Sequence, residues 1–123
     1  MKHLIIQDHN LSYLVYFRPK DKAKMYETIY KAQQDFWSHN YNYELLDYIT
    51  IKLNEQGFKV CDLSQEIKNS VYLRSEFSEN AFWYKNIRVR ESAFGFYFRM
   101  KDTHYTGKTI AECIAIIDKE TEK

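Results

Sequence analysis

The run Ile87-Arg88-Val89-Arg90-Glu91-Ser92-Ala93-Phe94-Gly95-Phe96-Tyr97-Phe98-Arg99-Met100-Lys101 decides the class of the fold. From Ala93 onward Phe94, Phe96, Phe98 and Met100 occupy one parity, and Gly95, Tyr97, Arg99 and Lys101 the other. A period of two sends successive side chains to opposite faces, so this is a half-buried strand with an inner and an outer side. With Glu91-Ser92 as the turn, a hairpin forms over 84–101 in which Val89 faces Phe94 and Ile87 faces Phe96 on the inner side. Arg88, Arg90, Tyr97, Arg99 and Lys101 then project outward, with Tyr84 beside them. Lys85 lands inward in that register, which predicts a bulge near Asn86.

On both sides of this hairpin the period changes to that of a helix. Downstream, Thr109-Ile110-Ala111-Glu112 is a capping box, in which the Thr hydroxyl and the Glu carboxylate each satisfy a free backbone N–H. It predicts a last helix that buries Ile110, Cys113, Ile114 and Ile117. Upstream, Met25, Ile29, Ala32 and Phe36 recur at four, three and four residues and predict a helix over Asp21–His39, widened by Tyr26, Tyr30 and Trp37. Asn40 and Asn42 interrupt it and can cap a second helix. That helix has Glu44 and Asp47 in its first turn, Leu45, Leu46, Ile49 and Leu53 as its stripe, and Gly57 as a left-handed stop before a strand. At the start of the chain, Leu4-Ile5-Ile6 and Leu11–Phe17 flank the turn cluster Asp8-His9-Asn10 and predict a hairpin. Its second strand is apolar on both faces and therefore central, and Pro19 ends it. Residues 64–80 are too short in their apolar runs for periodicity to choose.

The expected fold is α+β: an N-terminal hairpin, two helices, a strand, a C-terminal hairpin and a final helix, with the helices on one face of an antiparallel or mixed sheet. At 123 residues it is expected to be one domain over 1–123. The 18 Lys+Arg nearly cancel the 17 Asp+Glu, so no global field draws the chain to nucleic acid or anionic lipid, and any charged site is local. Apolar residues make up 45% and aromatics 17%, while Gly (3) and Pro (1) are scarce, which excludes disordered and low-complexity classes. Two distant cysteines, Cys61 and Cys113, do not form a disulfide framework, and no N-terminal signal segment is evident, so a cytoplasmic location is expected.

Most enzyme chemistries lack their residues. Gly107-Lys108-Thr109 ends like a phosphate-binding loop, but Asp102 stands where that loop needs glycine, so a helix cap is the better reading. His3, His9, His39 and His104 lie in separate segments and the cysteines are unpaired in spacing, so no metal or cofactor is expected. Asp62 beside Cys61 would raise the thiol's pKa, the wrong direction for a nucleophile. No serine sits on a glycine elbow, and the His104–Asp102 and His39–Asp35 neighbours read as solvated. The chain is expected not to be an enzyme; one whose acids converge only in the fold is the third alternative.

Two surfaces remain. Tyr84, Arg88, Arg90, Tyr97, Arg99 and Lys101 interleave cations with rings on the outer face of the hairpin, and Gly95 there leaves room for another backbone. Guanidinium forks bind carboxylate or phosphate and rings supply contact area, the equipment of protein interfaces and of single-strand nucleic-acid platforms. The second is Tyr41-Asn42-Tyr43 with Trp37 and Tyr48, which reads more readily as a helix corner packed on itself. The excess of Lys over Arg, with frequent Ile, Asn and Tyr, suggests an AT-rich source of the kind that carries phages and mobile elements in low-GC bacteria. The functional expectation is a small binding protein that docks a larger protein through the hairpin face, such as an inhibitor of a host CRISPR-Cas or restriction nuclease or of a nucleoprotein complex. A module for single-stranded nucleic acid or RNA using the same face is the alternative, weakened by the chain's neutrality. No membrane partner is expected; a homodimer is compatible with this face.

Overall fold

The computed structural model describes residues 2–8, 11–39, 44–63, 71–72 and 76–122. The chain divides into two compact units, Met1–Ser75 and Glu76–Lys123. Each has its own sheet and helix layer, so the fold is α+β, with the strands shared between two sheets where the spacing suggested one.

In the first unit, β1 (Lys2–Asp8) and β2 (Leu11–Phe17) pair antiparallel from Lys2↔Phe17 to Asp8↔Leu11. The expected turn at His9-Asn10 lies outside the described residues. β3 (Lys59–Leu63) adds antiparallel to the other side of β2, and β4 (Val71–Tyr72) adds parallel to β1. The order is β3-β2-β1-β4, so β2 is central, as its two apolar faces require. Pro19 ends β2 and opens a 3-10 turn, Pro19–Asp21, that leads into α1 (Lys22–Ser38). Met25, Ile29, Tyr30 and Ala32 are buried on α1.

α2 (Leu45–Glu55) starts with Glu44 at its N-cap, one position before the first turn where the spacing placed it. Its proposed caps, Asn40 and Asn42, lie outside the described residues. Leu45, Leu46, Ile49 and Leu53 are buried together with Tyr48. Burying each such aliphatic side chain contributes about 1.5–3 kcal/mol, which is what holds an 11-residue helix too short to persist alone. α2 ends in a Schellman motif: Phe58 N–H donates to the Leu53 carbonyl at 3.0 Å, Gly57 N–H to Asn54 at 3.0 Å, and Gly57 has φ +90°. Phe36 of α1 packs against Tyr48 of α2 with ring centroids 5.8 Å apart.

The second unit is an antiparallel meander in chain order: β5 (Phe77–Ser78), β6 (Ala81–Tyr84), β7 (Ile87–Ser92), β8 (Gly95–Met100) and β9 (Thr103–Gly107). The open segment 64–80 thus supplies β4 and β5, with residues 64–70 and 73–75 outside the described set. α3 (Ile110–Thr121) buries Ile110, Cys113, Ile114 and Ile117, the stripe its spacing predicts, and packs against β8 and β9. Thr109 Oγ1 accepts from Glu112 N–H at 3.2 Å, and Glu112 Oε2 accepts from Lys108 N–H at 2.7 Å. The inner side of the sheet is aromatic: Phe77 stacks near Phe82 at 6.4 Å, Phe82 meets Phe96 edge-on at 6.3 Å, and Phe98 stacks on Tyr105 at 5.4 Å.

Two features of the hairpin differ from the spacing. Lys85-Asn86 form a two-residue turn, both with positive φ (49° and 64°), so Tyr84 pairs with Ile87 and Trp83 with Arg88, without a bulge. The turn after β7 is Ala93-Phe94, so Ser92 faces Gly95, Glu91 faces Phe96 and Arg90 faces Tyr97. Ser92 Oγ helps to fix it, accepting from Phe94 N–H at 3.3 Å. The slip preserves strand parity, so the two faces keep their residues, but Phe94 moves from the inner face to the hairpin tip, where it is 95% exposed.

Candidate interaction surface

The outer face of the second sheet is assembled by these registers. Trp83 on β6 lies beside Arg88 on β7, Arg90 lies between Ala81 and Tyr97, and Arg99 on β8 pairs with His104 on β9. Arg88, Arg90, Tyr97, Phe98, Arg99 and His104 line one open groove of about 360 Å³. A shallower hollow of about 270 Å³ shares Arg88, Arg90 and Tyr97 with it and adds Glu79 and Glu91. Four of the six residues picked from the sequence therefore converge: Arg88, Arg90, Tyr97 and Arg99.

The other two do not line the groove. Tyr84 is on the inner face, 5% exposed, and its hydroxyl donates to Asp118 Oδ1 of α3 at 2.8 Å. Burial first, then that hydrogen bond and the Asp118 charge, push its hydroxyl far above the ordinary tyrosine range. The cause of the misplacement is the Lys85-Asn86 turn: a two-residue hairpin puts residue 83, not 84, on the face of residue 88. Lys101 sits in the β8–β9 turn with φ 47°, followed by Asp102 at 67°, and is exposed there. Gly95 does not leave room for a foreign backbone, because a Cβ there would lie 2.7 Å from the Gly107 carbonyl oxygen of the neighbouring strand.

Trp83 and His104 join the face without having been singled out for it. The signal for Trp83 was Asn86, a residue that tolerates the left-handed conformation an I′ turn needs. His104 follows only once β9 is known, and Thr103-His104-Tyr105-Thr106-Gly107 shows no apolar alternation to reveal it.

The three arginines are held differently. Arg88 lies over the Trp83 ring, its guanidinium carbon 5.3 Å from the centroid. Arg99 reaches Asp102 at 2.7 Å, with both side chains mostly exposed, so the pair contributes only about 0.2–1 kcal/mol and yields easily to another anion. The Arg90 side chain forms no ion pair or hydrogen bond among the described residues. The acids Glu112, Asp118, Glu120 and Glu122 sit on or at the end of α3, which covers the opposite face of the sheet. A nearly neutral chain thus presents a local cationic face whose guanidinium groups, one unpaired, one laid over a ring and one in an exposed ion pair, can grip carboxylate or phosphate oxygens.

The larger cleft is elsewhere. Between α1 and α2 a groove of about 380 Å³ is lined by Lys24, Lys31 and Lys52 among others. Lys31 meets Glu27 at 3.1 Å, Lys52 meets Glu55 at 3.5 Å, and Lys24 donates to the Gln56 carbonyl at 3.4 Å, so each of these cations has a partner and none is left as Arg90 is. In the second surface picked from the sequence, Tyr48 is buried, Trp37 is 43% exposed, and Tyr41-Asn42-Tyr43 lie outside the described residues.

The Lys108 N–H that a phosphate would need is taken by Glu112, so Gly107-Lys108-Thr109 is a helix cap. Among the described residues no three His, Cys, Asp or Glu side chains converge on a metal-sized site. Burial, then the nearby Glu112 charge, pushes the Cys113 thiol up to about 11, which suits packing and not nucleophilic attack. Asp102 serves Arg99, and His39 lies 3.3 Å from an Asp35 that also accepts from the Tyr48 hydroxyl. No described helix is long and apolar enough to cross a membrane. Searches for related proteins found no matching family model, no matching curated protein and no matching solved structure.

Proposed function

We propose that this chain is a non-enzymatic cytoplasmic binding protein that docks an acidic patch of a larger protein onto the outer face of β6–β9. What supports the reading is one observation: three guanidinium groups and the Tyr97 ring share a single exposed groove, and one of them, on Arg90, has no side-chain partner among the described residues. Arginine and tyrosine are the residues that dominate binding energy at protein interfaces. A metal-dependent nuclease offers a complementary target. Its nucleic-acid cleft is cationic and would repel this face, but the carboxylate cluster that holds its metal ions is anionic and matches it. The proposed class is therefore an inhibitor of a host CRISPR-Cas or restriction nuclease, of the kind borne by phages and mobile elements.

Affinity capture from the lysate of a nuclease-bearing host tests this. A nuclease identified by mass, retained by the wild-type chain and released by Arg90→Ala and by the Arg88→Ala/Arg99→Ala pair, is the expected result. Retention that ignores these arginines, or no retained nuclease, overturns it. The Trp83–Arg88 stack favours a second reading, because rings and guanidinium planes also stack on unpaired bases. Binding of an unstructured oligonucleotide that weakens steeply with added salt, and is lost in the same variants, would move the assignment to nucleic acid.

A further inference from the structure

A sheet that does not close ends in strands whose outward N–H and C=O groups can template another strand, and proteins guard such edges by shortness, charge or proline. Among the described strands the two sheets present four edges, and three are guarded. β4 and β5 are two residues each, and β3 carries exposed Lys59 and Asp62. β9 is not. It is five residues long, pairs among the described strands only with β8, contains no Lys, Arg, Asp, Glu or Pro, and exposes Thr103, His104 and Thr106.

We propose that β9 is the edge through which two copies of this chain associate, antiparallel about a twofold axis at Tyr105. A twofold interface must be complementary to itself, and this strand is. Thr103 faces the partner's Gly107, His104 faces the partner's Thr106, and the two Tyr105 rings meet, each already stacked on its own Phe98 at 5.4 Å. Just beyond the strand, in the turn that precedes it, Asp102 comes opposite the partner's Lys108 at both ends, where it would share its exposed bond to Arg99 with that lysine, and no like charges are opposed. The two Asp102–Lys108 pairs, which a strand of another protein would not supply at both ends, are what select a second copy. His104 lines the arginine groove, so the pairing runs the grooves of both copies side by side across one continuous sheet. The shared strand is short, so the association is weak, with a dissociation constant on the order of 100 μM.

Sedimentation velocity of the full chain from about 10 μM to about 1 mM, a range bracketing that constant, tests the proposal. The expected mass rises from 15.0 kDa towards twice that value with concentration. Thr106→Lys places a charged guard on the edge and should hold the chain at monomer mass throughout, with an unchanged circular dichroism spectrum. Lys108→Glu and Asp102→Lys should each weaken association about fivefold, and the double variant, which restores opposite charges, should recover it. Asp102→Lys also gives up the bond to Arg99 at a positive-φ site, but the Lys108 side chain makes no bond among the described residues, so Lys108→Glu decides the matter even where Thr106→Lys misfolds. A monomer at every concentration overturns the proposal and leaves the edge to a strand of another protein. A dimer indifferent to both charge reversals and to Thr106→Lys overturns it as well, by locating the contact elsewhere.

Discussion

The two units use the same device with different consequences. In the first, Tyr13 on β2 donates to Asp47 on α2 at 2.8 Å; in the second, Tyr84 on β6 donates to Asp118 on α3 at 2.8 Å. Each bond ties a strand to the helix that covers it. Tyr13 is only half-buried, and the hydrogen bond to Asp47 is the main cause that pushes its hydroxyl up to about 12. Tyr84 is nearly enclosed, burial is its main cause, and Asp118 also receives Lys85 Nζ at 2.7 Å. Equal bonds therefore differ in what replaces them when they break: water can reach Tyr13, whereas the Tyr84 oxygen would be left unsatisfied.

The largest expected effect tests that asymmetry directly. Asp118→Ala should cost about 2–3 kcal/mol in urea unfolding, because it strands a buried hydroxyl, whereas Asp47→Ala should cost about 1 kcal/mol. Equal costs would break the comparison. A smaller effect concerns alkali. A tyrosine whose folded pKa is raised contributes stability that is complete below its ordinary value near 10 and is lost as pH rises through the folded value. Unfolding midpoints followed upward from about pH 10 should therefore fall, and Tyr13→Phe should flatten the part of the fall between about 10 and about 12, where the folded hydroxyl keeps a proton that the unfolded one has lost. The smallest effect is chemical. At pH 8, Cys61, half-buried in the first unit, should be alkylated by iodoacetamide at least about tenfold faster than Cys113, whose thiol is buried and held protonated. Mass mapping of the labelled peptides reads the ratio, and a faster Cys113 would mean that α3 lifts from its sheet.

The same pair of tyrosines marks how far the sequence could be read. Helices declare themselves, because each is a local pattern repeated over several turns: the stripes of α2 and α3, the Thr109 cap and the Gly57 stop are where their spacing puts them, and α1 buries Met25, Ile29 and Ala32 of its stripe while Phe36 is half-buried and Trp37 exposed. The central place of β2 was legible for the same reason. Sheet faces are less secure, since one turn residue decides which parity points inward. Arg88, Arg90, Tyr97 and Arg99 survived a slip in register because the slip was even, while Tyr84 changed sides because Lys85-Asn86 turn in two residues. β9 was not legible, as its threonines and histidine carry no apolar alternation; its strand character comes from pairing with β8. The Glu76–Lys123 unit as a separate body follows from such pairings, which no local window contains.

The Gly57 stop has a further use. A Cβ built there meets nothing within 4 Å, so the only obstacle to a side chain is the handedness of an L residue at φ +90°. In a chain assembled by chemical ligation, D-alanine at this position would sit without strain and restrict the unfolded ensemble, adding about 0.4–1 kcal/mol of stability. L-alanine at the same place would do the opposite, so a mirror-image pair of variants, identical in composition, would melt on either side of the natural protein.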